Sequence, residues 1–154
     1  MNEIFVDVAD NLNEKPPLSP DELVSIAEFV LNKLEMRDME LSIVICDDET
    51  LRELNREYRG KDESTDVLSF AQQNIGIDHF PPEPQLLGDI VISLDTLKRN
   101  SEYFTVPVHQ ELTRLLIHGI LHLAGMDHDT NDAVEPMLIL QEELLQQVQE
   151  RDDT

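Results

Sequence analysis

Between residues 107 and 124 the chain runs PVHQELTRLLIHGILHLA, and this stretch restricts the possible folds more than any other. At about 100° per residue, with His118 set at zero, Glu111, Arg114, His118 and His122 fall within roughly ±40° of that direction. Leu112, Leu116, Ile117, Ile120, Leu121, Leu123 and Ala124 take up the rest of the circumference. A helix apolar on most sides belongs inside a packed domain, with other elements against several of its faces. Its one polar stripe must then look into a cleft or onto partners, because buried polar groups without hydrogen bonds are costly.

His118 and His122 stand at i and i+4 on that stripe, so two imidazoles can point at one ion. Gly125 can take the left-handed conformation that ends a helix, after which the chain can turn and bring His128 to the same point. Three neutral imidazole nitrogens leave a fourth tetrahedral position on Zn²⁺ open to water, which makes His118, His122 and His128 the candidate ligands of one zinc per chain. A purely structural zinc usually has four protein ligands, commonly with cysteine, and no cysteine is near in sequence. Imidazole also suits nickel and copper. The spacing HxxxHxxGxxH is that of the metzincin proteases, which carry Glu directly after the first His as general base. Here that place is Gly119, so a peptidase reading lacks its base. A glycine in mid-helix costs about 1 kcal/mol relative to alanine, so Gly119 is expected to let another segment or a substrate approach closely. Activation of water then falls to the metal itself or to a group elsewhere. His79 and His109 lack this geometry and read as surface or loop residues.

A chain of 154 residues fits one domain with a single sizeable core, and residues 1–154 show no linker or internal repeat that would divide them. No apolar run approaches the roughly 20 residues that span a bilayer, and the acidic start MNEIFVDVAD is unlike a secretion signal. The expectation is a cytoplasmic protein without a membrane partner. Cys46, the single cysteine, lies in the strand-like run LSIVIC and reads as a small buried hydrophobe. The 33 acidic residues outweigh 11 basic ones for a net charge of −22, which repels polyanions at a distance. The exception is LRELNREYRGK (51–61), where Arg52, Arg56, Arg59 and Lys61 face only Glu53 and Glu57.

Periodicity gives a mixed α and β chain. Strands are expected at 4–8, 39–46, 67–71 and 87–94. Helices are expected from the Ser19 cap to about Leu34, over LRELNREY, near 95–103, over about 107–124 and over 136–150, where Pro136 is the first helical residue. Gly60 should end the second helix, and Arg59 should sit in the loop before the third strand. QQNIGIDHFPPEPQ, with three prolines, reads as a loop. The predicted fold is α+β, a mixed, mostly parallel four-stranded sheet with about five helices and a metalloprotease-like core. The first helices are expected on one side of the sheet. The His-bearing helix is expected across the core, lining a cleft that faces the Arg59 loop.

Three blocks, NREYRGKDESTDVLSF (55–70), LGDIVIS (87–93) and HGILHLAGMDH (118–128), resemble the YbeY family of zinc-binding, single-strand-specific endoribonucleases, in the family's order and spacing. The resemblance covers roughly Leu41 to Gln147. It implies processing of the 16S rRNA 3′ end and ribosome quality control, with single-stranded rRNA and the small ribosomal subunit or its proteins as partners. By position, His118, His122 and His128 match the family's metal ligands and Arg59 its required arginine. Thr65, Asp66 and Ser69 fall on a block assigned to shaping the cleft, and Met126 stands where the family often has an aromatic residue or histidine. A phosphodiester hydrolase needs a cation besides the metal to hold transition-state charge, and a guanidinium does so bidentately, which gives Arg59 its catalytic role. Either a metal-activated water or the neighbouring 2′-OH can serve as nucleophile. Asp127 reads equally as a supporting acid or a turn residue. The alternative is a non-catalytic ribosome assembly factor with a structural zinc, recruited through basic ribosomal proteins.

Overall fold

Four short runs rich in branched apolar residues form one sheet: β1 (Glu3–Val8), β2 (Met39–Cys46), β3 (Val67–Ala71) and β4 (Gln85–Ser93). The computed structural model describes residues 2–12, 14–59, 67–71, 85–126 and 135–152. The strand order is β1-β2-β4-β3, with β1, β2 and β4 parallel and β3 antiparallel to β4. Five helices complete the described elements: α1 (Pro20–Lys33), α2 (Asp48–Arg59), α3 (Leu94–Phe104), α4 (Val108–Leu123) and α5 (Pro136–Asp152). This is the expected α+β architecture, with boundaries moved by one to three residues. Arg59 differs from expectation, since it is the last residue of α2 and not part of a loop. Gly60, the 72–84 connection and His79 lie outside the described residues.

Local chemistry explains the helix starts. Ser19 caps α1 in a reciprocal box, its hydroxyl accepting from the Glu22 amide while the Glu22 carboxylate accepts from the Ser19 amide, with Pro20 as first helical residue. At α2 the carboxylate of Asp47 accepts from the Thr50 amide at 2.8 Å. Ser93 caps α3 by accepting from the Thr96 amide and also donates to Asp48 Oδ1 at 2.5 Å. Thr96 donates to the same oxygen at 2.6 Å, and Arg99 pairs with Asp48 Oδ2 at 2.7 Å. One carboxylate thereby ties the start of α2 to the start of α3. Burial opposes its charge, but the donors from Ser93, Thr96 and Arg99 prevail and hold its pKa down at about 2.

Along β2 and β4 the sheet is apolar on both faces, and each face takes different helices. Leu41, Ile43 and Ile45 of β2 and Ile90 and Ile92 of β4 point into the main core with α1, α3, α4 and α5. Cys46 and Val91 point the other way, against Leu51 and Leu54 of α2. The first two helices therefore do not share one side as expected: α1 packs with α4, and α2 covers the opposite face. The reason is the alternation of β2, whose odd positions feed one core and whose Val44 and Cys46 feed the other. Cys46 is buried, and that burial, followed by the charges of Asp47, Asp48 and Asp95, pushes its thiol pKa to about 12. No described helix is long and apolar enough to cross a membrane.

Candidate functional site

Helix α4 is buried as its pattern demands, with Leu112, Leu116, Ile117, Ile120 and Leu121 fully enclosed. It crosses the sheet at Gly119, where an added Cβ would lie 3.0 Å from Ile90 Cδ1 and Cγ2 and 3.1 Å from Ile90 Cγ1. The approaching partner is thus a segment of the protein's own sheet. A glutamate at this position would be driven into the core beneath the helix, so the missing protease base follows from how α4 is seated. Ile90 is fully buried in the middle of the sheet, in register with Ile43 and Ser69.

The polar stripe has its partners. Arg114 pairs with Glu111, 3% exposed, at 2.9 Å and reaches Glu142 of α5 with two nitrogens, at 3.0 and 3.1 Å. Burial works against the guanidinium charge, but Glu142 and then Glu111 more than offset it and raise its pKa. Glu142 also accepts from the Gln141 amide nitrogen at 3.3 Å, and Gln141 Oε1 lies 2.6 Å from His118 Nδ1. His118 Nε2 in turn lies 3.0 Å from His122 Nε2, with ring centroids 4.5 Å apart. A groove of about 580 Å³ between α4 and α5 has Glu111, Arg114, Gln141 and Glu142 in its wall. A second groove of about 400 Å³, beside α1, includes the exposed His109 but none of the stripe.

The two imidazoles fit a shared cation. Two nitrogens on a tetrahedral zinc, each at about 2.05 Å, stand roughly 3.3 Å apart, close to the observed separation. Beyond them α4 ends in a Schellman turn: the Gly125 amide donates to the His122 carbonyl at 3.0 Å and the Met126 amide to that of Leu121 at 3.0 Å, with Gly125 at φ 96°. The chain therefore leaves the helix just past Leu123, one residue after His122. His128, Asp127, Thr65 and Asp66 lie outside the described residues, and among the described ones no group of three or more His, Cys, Asp or Glu converges on a point. The cleft expected between the His-bearing helix and the Arg59 loop is not what the described residues show: the groove beside α4 is bounded by α5, α2 with Arg59 at its end covers the opposite face of the sheet, and residues 60–66 lie outside the described ones. Arg52 and Arg56 are exposed.

Sequence reasoning missed Gln141. Its signal was available: 141 continues the apolar row Met137, Leu144, Leu145 and Val148 of α5, all buried, and a glutamine in such a row needs a partner inside.

Fold and site together define an α+β protein that lays a histidine-bearing helix across a mostly parallel sheet and ties its polar stripe to the last helix. The family model for Endoribonuclease YbeY matches residues 9–149. An Endoribonuclease YbeY of Treponema denticola is 42% identical over 142 residues, covering 91% of this chain and 92% of the relative. That of Treponema pallidum (strain Nichols) is 46% identical over 131 residues, 83% and 82% of the two chains. The chain belongs to the YbeY endoribonuclease family. The solution structure of TM1509 from Thermotoga maritima, 24% identical, superposes over 97% of this chain and 93% of that one with a TM-score of 0.61, a likeness of fold.

Proposed function

We propose that this protein is a zinc-dependent, single-strand-specific endoribonuclease of the cytoplasm, acting in 16S rRNA 3′-end maturation and ribosome quality control with the small ribosomal subunit or its proteins as partners. Family membership supports the activity class. The observation that carries the metal reading is the pair of Nε2 atoms of His118 and His122, 3.0 Å apart on a buried helix. His128 is the third ligand in this proposal, and bound zinc supplies Lewis acidity at an open coordination position. Arg59, at the last position of α2, takes the substrate phosphate and the charge that builds on it in the transition state, a role that requires the end of α2 to reach past the sheet edge toward His118 and His122. The net charge of −22 leaves few places for phosphates, which favours delivery of the RNA on a ribosomal particle over capture of free RNA.

The test compares chelator-stripped, re-zincated and His122→Ala protein on single-stranded and duplex RNA. Cleavage of the single strand that disappears with the metal, returns with zinc and is absent from His122→Ala supports the reading. Equal cleavage by stripped and loaded protein, or by His122→Ala, refers the activity to a contaminant and leaves the non-catalytic assembly factor. Because metal binding adds to folding free energy, His122→Ala should also lose the zinc-dependent rise in thermal stability.

A further inference from the structure

A neutral imidazole offers a metal only the nitrogen without a proton, so a ligand histidine works when something fixes which nitrogen that is. For His118 the surroundings decide it in two steps. The carboxylate of Glu142, clamped by two nitrogens of Arg114, can only accept hydrogen bonds, so the Gln141 amide must turn its NH₂ toward Glu142. Its oxygen is then what faces His118 Nδ1 at 2.6 Å, and an amide oxygen can only accept. His118 must therefore carry its proton on Nδ1 and present the Nε2 lone pair toward His122.

We propose that Gln141 is a positioning residue that holds His118 in the Nδ1–H tautomer, and that the Arg114–Glu142 pair fixes the Gln141 amide in the orientation this requires. The inference rests on reading His118 and His122 as metal ligands. It gives the stripe a single purpose: Glu111 holds Arg114, Arg114 holds Glu142, Glu142 orients Gln141, and Gln141 sets the imidazole. At 7% exposure Gln141 is buried, so its amide oxygen needs a partner inside the protein, and His118 Nδ1 supplies it.

The test uses the full chain with Gln141→Leu, which puts an apolar side chain of similar size in the row and removes the acceptor, and Gln141→Glu, which restores an acceptor at the same place. Long-range ¹H–¹⁵N spectra of metal-free protein at mildly alkaline pH report the His118 tautomer, and competition with a chromophoric chelator reports the affinity for zinc alone. Wild type should show a single Nδ1–H tautomer. Gln141→Leu should show a tautomer mixture and about 10- to 100-fold weaker zinc binding. Gln141→Glu should recover the tautomer and most of the affinity. Thermal unfolding of the metal-free variants guards against a folding defect, since the tautomer is read only from chains that melt as the wild type does. A Gln141→Leu protein with one Nδ1–H tautomer and wild-type affinity overturns the inference while leaving the metal site intact. A wild-type chain that binds no zinc overturns the metal reading itself, and that outcome is distinct because it appears without any substitution.

Discussion

Gly119→Ala is the substitution that tests how α4 is seated. On an exposed helix the change gains about 1 kcal/mol from propensity. Here the new methyl meets three atoms of Ile90 at 3.0, 3.0 and 3.1 Å, and Ile90 is fully buried between Ile43 and Ser69. Overpacking of this kind costs about 1–3 kcal/mol, so the variant should be less stable by about 1 kcal/mol, the propensity gain included. Ile90→Ala removes all three opposing atoms and alone should cost about 2–5 kcal/mol through the cavity it leaves. In the double variant the alanine at 119 partly fills that cavity, giving a favourable coupling of at least about 1 kcal/mol. Urea unfolding of the four metal-free proteins, with midpoints compared at constant m, measures the cycle. A Gly119→Ala protein more stable than wild type by the full propensity gain, or a cycle additive within about 0.5 kcal/mol, would refute the close approach as the reason for glycine at 119.

Arg59→Ala should retain zinc and lose about 10²-fold or more in RNA cleavage, and unchanged cleavage at unchanged metal content would end its proposed role. Single-strand RNA binding should depend weakly on salt, with log K falling about 0.7 per phosphate contact and so with a slope of about −2; a slope steeper than about −4 would mean a basic surface not yet seen. Asp48, with its folded pKa near 2 against an ordinary carboxylate value of 3.8, contributes stability that is complete above the ordinary value and fades as pH falls through the folded one. Allowing for its partial exposure, that contribution is about 1–2 kcal/mol, and Asp48→Asn should flatten the loss of stability between about pH 4 and 2; identical slopes for both proteins would contradict it. Cys46 should resist a thiol reagent until the chain unfolds, and rapid stoichiometric labelling of native protein would show that its buried position opens readily.

What the sequence disclosed was whatever one segment decides for itself. Ser19, Pro20 and Glu22 announce the start of α1 because the capping box closes within four residues. The stripe on α4 and its glycine stop were legible because helical period and left-handed backbone are local properties. The side of the sheet taken by α2 was not, because LSIVIC carries apolar residues at the even positions 44 and 46 as well as at its odd ones and offers cores to both faces. The tie from Asp48 to Ser93, Thr96 and Arg99 and the bond from Gln141 to His118 join residues far apart in the chain. A polar residue in an apolar row says that a partner exists without saying which.

The parallel pairing of β2 with β4 also governs the order in which the protein can assemble. Ile43 and Ile90 are neighbours only after a long stretch of intervening chain has closed, and such non-local pairing is slow compared with the formation of α3, α4 and α5 from adjacent residues. Because α4 rests through Gly119 on Ile90, the histidine helix can exist early, but its final seat cannot. The rate at which the site matures is then the rate of strand registration in the sheet, and changes at the β2–β4 seam should slow the acquisition of the site even where they leave the finished molecule nearly as stable.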